Sequence, residues 1–170
     1  QKARIEALYG DLRDSINYAE RIQQAILPSQ RERSMVFENA AVFYRPRDVV
    51  SGDFYWFEKL NGFTYIAVAD CTGHGVPGAL VSVVCSNALH RSLNEFQLTD
   101  PADILDKTRD LVIDTFAKSG ESVKDGMDIS ICALMIDPTT NNVDVSQGLE
   151  FSGANNPIWI VRDKKNLSED

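Results

Sequence analysis

Two aspartates, Asp53 and Asp70, carry the chemistry that this sequence offers. Asp53 lies in Val50-Ser51-Gly52-Asp53-Phe54-Tyr55-Trp56, and Asp70 in Ala67-Val68-Ala69-Asp70-Cys71-Thr72-Gly73-His74-Gly75-Val76-Pro77-Gly78. Each acid stands beside glycine at the edge of an apolar, strand-like run. Such a context holds a carboxylate at the rim of a sheet, and two acids separated by a hairpin converge on one site. Paired carboxylates without His or Cys partners suit a hard cation such as magnesium or manganese. A divalent ion lowers the pKa of water and neutralises phosphoryl oxygens, so phosphoester hydrolysis needs no protein nucleophile. Taken singly, Asp53 reads as a turn acid and Asp70 as a cap on the helix that follows. Their shared context favours a joint metal site.

Other candidates are weighed against plainer roles. Gly73-His74-Gly75 lacks the spacing and the βαβ setting of a dinucleotide fingerprint. His74 is a candidate general acid or a structural turn residue. With only two histidines, His74 and His90, and no suitable cluster, zinc is disfavoured. Cys85 to Arg91 matches the C-x5-R spacing of a phosphate-binding loop, but Ser86–His90 has no glycine and reads as mid-helix, so Cys85 is taken as buried and apolar. Arg45 and Arg47 flank Pro46 just before Asp53 and are candidate phosphate ligands or a solvated pair. Asp128, entering a strand after Gly126-Met127, is a candidate support for the site; Asp125 and Asp137 are further acids.

Elements that would position these residues are legible in the pattern. Ile5, Leu12, Ala19 and Ile26 share one heptad position, and Leu8, Ser15 and Ile22 another, which predicts a helix over residues 1–27 that stops before Pro28. It reads either as a surface helix or as a parallel coiled-coil linker; the seam running from the first residues favours the linker. Strands are expected at Val36–Tyr44, Phe54–Phe57 and Phe63–Ala69, with Asn61-Gly62 as a hairpin turn. Helices are expected over Gly78–Leu93 and from Asp100-Pro101 to about Ser119, with Gly120 as C-cap. Met127–Ile136, Val143–Ser146, Leu149–Ser152 and Pro157–Val161 read as further strands around a turn at Asp137–Asn142, and the tail after Arg162 as a loop. The order predicts an α+β fold with a mostly antiparallel sheet and helices on one face. The domains expected are a linker helix over 1–28 and a catalytic region over 29–170.

The chain of 170 residues, 44% hydrophobic and 25% charged, suits one globular domain. A net charge of −8 argues against a nucleic-acid partner. No apolar run is long enough for membrane insertion. Cys71, Cys85 and Cys132 form no CxxC pair and read as free thiols of a reducing cytoplasm. The first residue, Gln1, suggests a piece of a longer protein.

Four segments resemble a known family: Arg21–Pro28, Ser51-Gly52-Asp53-Phe54-Tyr55, Ala69–Leu80 and Ser152-Gly153-Ala154-Asn155-Asn156-Pro157. Together they are similar to the stage II sporulation protein E type of bacterial protein phosphatase, a metal-dependent relative of the protein phosphatase 2C group. The resemblance, running from about residue 17 to 162, implies a β-sandwich flanked by helices. It implies hydrolysis of phosphoserine or phosphothreonine with two Mn2+ or Mg2+ ions, Asp53, Asp70 and the Cys71 carbonyl being metal ligands. It further implies a phosphorylated regulator of the anti-sigma-factor-antagonist type as substrate; the linker reading of the first helix adds an upstream sensor in the parent chain, which would tether the domain if the sensor is membrane-bound. A homodimer is expected through the heptad helix. Ser51 stands where the family often has glycine, and Ala154 where it often has histidine. The family pattern continues with a Thr-Asp-Gly motif and a later aspartate, both metal ligands and both absent here. The chain is therefore expected to hold about the first two-thirds of a catalytic domain and to be inactive alone, with a non-catalytic signalling module as the alternative.

Overall fold

Asn61 and Gly62 reverse the chain with φ angles of 51° and 83°. Both are left-handed, the conformation of the tight turn whose twist matches that of the flanking strands. In the computed structural model, which describes residues 1–29, 31–32, 40–118, 125–137, 139–140 and 143–161, this turn joins β1 (Phe54–Leu60) to β2 (Phe63–Cys71). Their register runs from Phe54 opposite Ala69 to Leu60 opposite Phe63. Two helices then intervene before β3 (Met127–Met135), which pairs with the other edge of β2, and β4 (Leu149–Ala154) completes the sheet. The order is β1-β2-β3-β4 and every neighbour is antiparallel.

Alternation along the strands divides the sheet into two faces. Phe54, Trp56, Tyr65, Ala67, Ala69, Ile129, Ile131 and Ala133 are buried on one of them. Against that face lie α2 (Gly75–Asn94) and α3 (Pro101–Ala117), which contribute Cys85, Leu89, Leu93, Ile104 and Val112 to the core. The other face carries Tyr55, Ile66, Val68, Asp70 and Asp128, with Val68 56% exposed. This is the expected α+β arrangement. Among the described residues there is one sheet, so the second layer of the expected sandwich is not part of them.

The helix ends follow local chemistry. Asp100 caps α3, accepting hydrogen bonds from the Ala102 N–H at 2.7 Å and the Asp103 N–H at 3.4 Å, and Pro101 takes the first helical position. α2 begins at Gly75, three residues before the expected Gly78, because Pro77 is accommodated in a first turn whose N–H groups need no helical partner. α1 (Lys2–Ile26) stops at Leu27, ahead of Pro28, as the sequence requires. Residues 1–15 are all exposed, so α1 stands clear of the domain and touches it through its last turns.

Three expected strands are corrected. Residues 40–44 join no ladder; Tyr44 instead packs edge-on against Tyr55 at 5.6 Å, and positions 36–39 lie outside the described residues. Of Val143–Ser146, only Val143 forms a bridge, with Ile136. Asp144 accepts hydrogen bonds from the Ser146 N–H and hydroxyl, and Val145–Gln147 becomes a short 3-10 turn. Residues 157–161 pair with nothing in the sheet. Asn155 has φ of 60°, the Ser130 hydroxyl captures the Asn156 carbonyl at 2.8 Å, and Pro157 has no N–H to give a ladder. Gly120, the turn residues Pro138, Asn141 and Asn142, and the tail after Val161 lie outside the described residues.

Candidate active site

The β1–β2 register delivers the two acids to one place. Phe54 faces Ala69 across the hairpin, so the next rung sets Asp53 beside Asp70 on the open face. Their side chains are thus cross-strand neighbours. Although Asp53 is exposed at its edge, the trough wall desolvates its carboxyl and raises it above the usual carboxylate value; the hydrogen bond with Asp70 and then its charge push the same way. On the far side of β2, Asp128 stands directly opposite Asp70. Three carboxylates thus cross three strands at one level. The Asn155 amide donates to Asp128 at 2.9 Å and orients it.

Backbone packing fixes the loops that carry the pair. A Cβ on Gly52 would lie 2.7 Å from the Gly73 carbonyl oxygen and 2.9 Å from that of Cys71. A Cβ on Gly78 would lie 2.5 Å from the Gly73 oxygen, with the Gly52 Cα at 3.3 Å. The Asp53 loop, the Asp70 loop and the start of α2 therefore meet backbone to backbone, with no room for a side chain. Thr72 ties the Asp70 loop to β3: its N–H reaches the Gly126 carbonyl at 3.0 Å and its hydroxyl accepts the Gly126 N–H at 3.1 Å.

A second brace comes from α1. The buried Gln23 side chain accepts the Ser51 N–H at 2.9 Å and donates to the Ser51 carbonyl at 2.5 Å and the Ser82 hydroxyl of α2 at 3.0 Å. The Ser51 hydroxyl in turn accepts the Asp53 N–H at 3.0 Å. The Tyr44 hydroxyl donates to the Asp53 carbonyl at 3.3 Å, and burial raises that phenol above its usual value. Gln23 and Tyr44 were not singled out from the sequence, and Ser51 only as a departure from the family pattern. The one signal for Gln23 was its place in the Arg21–Pro28 segment, whose resemblance to the family extends beyond the apolar positions.

The remaining candidates separate. Arg45 lines a trough of about 580 Å³ together with Asp53, Tyr55, Val68 and Asp70. Arg47 does not join it; it lines a cleft beside Ile16, Val50 and Val76, on the α1 side. His74 caps α2 and its Nδ1 pairs with Asp48 at 3.0 Å, clasping that same loop. The Cys71 side chain turns into the core, and its carbonyl oxygen lies against Gly52, 2.9 Å from where a Cβ there would stand. The neighbouring Cys85 raises the Cys71 thiol, with burial pushing the same way, and Cys71 lowers the Cys85 thiol. Cys85 lies within α2 and is fully buried, as expected of an apolar cysteine.

Two carboxylates side by side on an open face form an all-oxygen donor set. That set fits a hard divalent cation, which would relieve the crowding that raises Asp53. Among the described residues no group of three His, Cys, Asp or Glu side chains closes on one point, so the pair alone would leave such a cation's coordination shell incomplete.

Comparison with known proteins bears on this geometry. The family model for Stage II sporulation protein E (SpoIIE) matches residues 61–169, a span that includes Asp70, Cys71, His74 and Asp128. Among solved structures, the SiaA-PP2C domain of Pseudomonas aeruginosa is similar, with a TM-score of 0.66 and 33% identity. That match covers 75% of this chain and 50% of the other, so this chain spans about half the length of that relative. No curated protein matches. With most of its length inside the family model and its sheet and helices shared with a PP2C domain, the chain belongs to the stage II sporulation protein E family of PP2C-like phosphatase domains.

Proposed function

We propose that this chain contributes the acid pair of a metal-dependent phosphoserine/phosphothreonine protein phosphatase acting in bacterial signalling. The observation that carries the reading is the cross-strand placement of Asp53 beside Asp70 at the open end of one hairpin. In that role Asp53, Asp70 and the Cys71 carbonyl hold Mn2+ or Mg2+, two ions in the full site. Such ions supply an acidified water and offset charge on the phosphoryl oxygens. Arg45, at the trough rim, offers its guanidinium to the phosphate. Asp128 orients the Asp70 side of the site, and Asn155 holds Asp128 in place. The substrate is a phosphorylated regulator of the anti-sigma-factor-antagonist type, presented as a protein loop to the trough.

A non-catalytic signalling module is favoured by one observation, the lack of a three-ligand cluster among the described residues. Two measurements separate the readings. Mn2+ binding followed by electron paramagnetic resonance should be visible and should require Asp53; no binding at millimolar Mn2+ would remove the metal site. Phosphate release from a phosphoserine peptide by these residues alone should be slight even with excess Mn2+. Robust turnover that survives EDTA would overturn the metal-dependent reading, whereas robust turnover abolished by EDTA would show that a local group such as Asp128 completes the site.

Regulation through α1 belongs to the same proposal. Leu8 and Leu12 on its heptad seam are 61% and 57% exposed, and nothing among the described residues covers them. A second copy of the helix, parallel and in register, buries that seam. An upstream sensor would act by altering this packing, which Gln23 relays to Ser51 and the Asp53 loop. The chain should sediment as a dimer at high micromolar concentration, and Leu12→Glu with Ile22→Glu should make it a monomer. A monomeric parent chain, or a dimer untouched by the double change, would show that α1 does not pair.

A further inference from the structure

Two side chains hold the peptide of Asp53. Its N–H donates to the Ser51 hydroxyl at 3.0 Å, and its carbonyl accepts from the Tyr44 hydroxyl at 3.3 Å. Asp53 stands one residue ahead of β1, so side chains bear on its placement where the strand has not yet begun. Tyr44 needs an anchor of its own, because residues 40–44 join no ladder and the adjacent Phe43 is 92% exposed. That anchor is Tyr55. The two rings meet edge-on, with centroids 5.6 Å apart and planes at 74°, a geometry that aromatic quadrupoles favour. Tyr55 lies two residues past Asp53, on the same open face of the sheet. Its hydroxyl donates to the Pro28 carbonyl at 3.2 Å. A continuous run of contacts thus leads from Pro28, just after α1, through two phenols to the Asp53 carbonyl.

We infer that Tyr44 and Tyr55 are positioning residues, a stacked pair that sets Asp53 for a divalent cation and sets Arg45 at the trough. Both phenols act through their neighbours. Tyr44 fixes the Asp53 peptide directly, and it fixes Arg45 because that residue follows it in the chain and lines the same trough of about 580 Å³. Tyr55 fixes Tyr44. The consequence for the cation rests on the metal reading above; the hold on the Asp53 peptide does not.

The pair is separate from the Gln23 brace. Gln23 reaches the Asp53 loop at Ser51, from the side of α2 and the core. Tyr44 and Tyr55 reach it from the open face, where both line the trough beside Asp53 and Asp70. Burial raises the Tyr44 phenol above its usual value, so its hydroxyl stays protonated and able to donate at neutral pH.

Tyr44→Phe deletes one hydroxyl and keeps the ring pair. Its Mn2+ affinity, followed by electron paramagnetic resonance, should fall about fivefold, the order of one neutral hydrogen bond. In the metal-free chain its Asp53 amide should exchange with solvent faster, while amides at the centre of β2 keep their rates. Tyr55→Phe, which leaves the Pro28 carbonyl without its donor, should move both readouts the same way. The double variant should be no worse than Tyr44→Phe, because the two residues act in series; independent effects would multiply to about twenty-five-fold. A purely structural role would lower the urea midpoint and leave Mn2+ affinity and Asp53 exchange unchanged, and that result would overturn the inference. Multiplying effects would overturn the series. If the unaltered chain binds no Mn2+, the metal reading fails, and Asp53 exchange in the three variants decides the positioning without it.

Discussion

Asp70→Asn is expected to abolish Mn2+ binding while making the metal-free chain slightly more stable. In the native chain, Mn2+ at a hundred times its dissociation constant should stabilise the fold by about 2.7 kcal/mol; in the variant the same addition should do nothing. Without metal, the substitution removes a like charge beside Asp53, which across neighbouring strands is worth roughly 0.2–1 kcal/mol. The pH dependence has a defined sign. Because the folded-state carboxyl of Asp53 is raised, the metal-free native chain loses stability as pH climbs from the usual carboxylate value through the raised one, and the deficit persists at neutral pH. Asp70→Asn should flatten that loss, leaving only the part due to burial. Thermal unfolding with and without Mn2+ across this range reads all of these effects. A variant that still gains stability from Mn2+ would place the cation elsewhere.

Gln23→Ala should cost about 2–4 kcal/mol, a large effect for a single side chain at the root of a projecting helix. The amide satisfies both the N–H and the C=O of buried Ser51. Its removal leaves those groups unpaired at a depth that water reaches poorly, at roughly 1–3 kcal/mol each before relaxation. Gln23→Glu should be no better, because a carboxylate accepts from the Ser51 N–H but cannot donate to the Ser51 carbonyl or to Ser82. Urea unfolding measures the loss. The same variants should weaken Mn2+ binding, since the Ser51 hydroxyl that receives the Asp53 N–H is then free to move. Unchanged stability and unchanged Mn2+ affinity in Gln23→Ala would mean that α1 is not braced against the site.

What the sequence disclosed follows how local each feature is. Asn61-Gly62, Asp100-Pro101 and the Leu27-Pro28 stop act within a few residues, and each sits where its chemistry puts it. The hairpin alone was enough to bring Asp53 and Asp70 together. Arg45 and Arg47 show the limit: two residues apart and alike in type, they line different clefts, which spacing and residue type do not distinguish. Residues 157–161 read as a strand from their apolar run, yet their fate is set by the Asn156 carbonyl bonding to Ser130, 26 residues earlier. Gln23 was hidden for the same reason. A glutamine on a helix is ordinarily solvated, and only the tertiary approach of Ser51, 28 residues on, gives it a buried partner.

The strand order has an entropic consequence for the three carboxylates. Asp53 and Asp70 are 17 residues apart along the chain, and a tight turn sits between them; Asp128 is 58 residues beyond Asp70, with α2 and α3 intervening. For flexible loops of those lengths, joining Asp70 to Asp128 costs about 1 kcal/mol more in chain entropy than joining Asp53 to Asp70. The first two acids can therefore meet as a local event within one hairpin. The third joins them only where β3 pairs with β2, a contact that spans both helices in the chain.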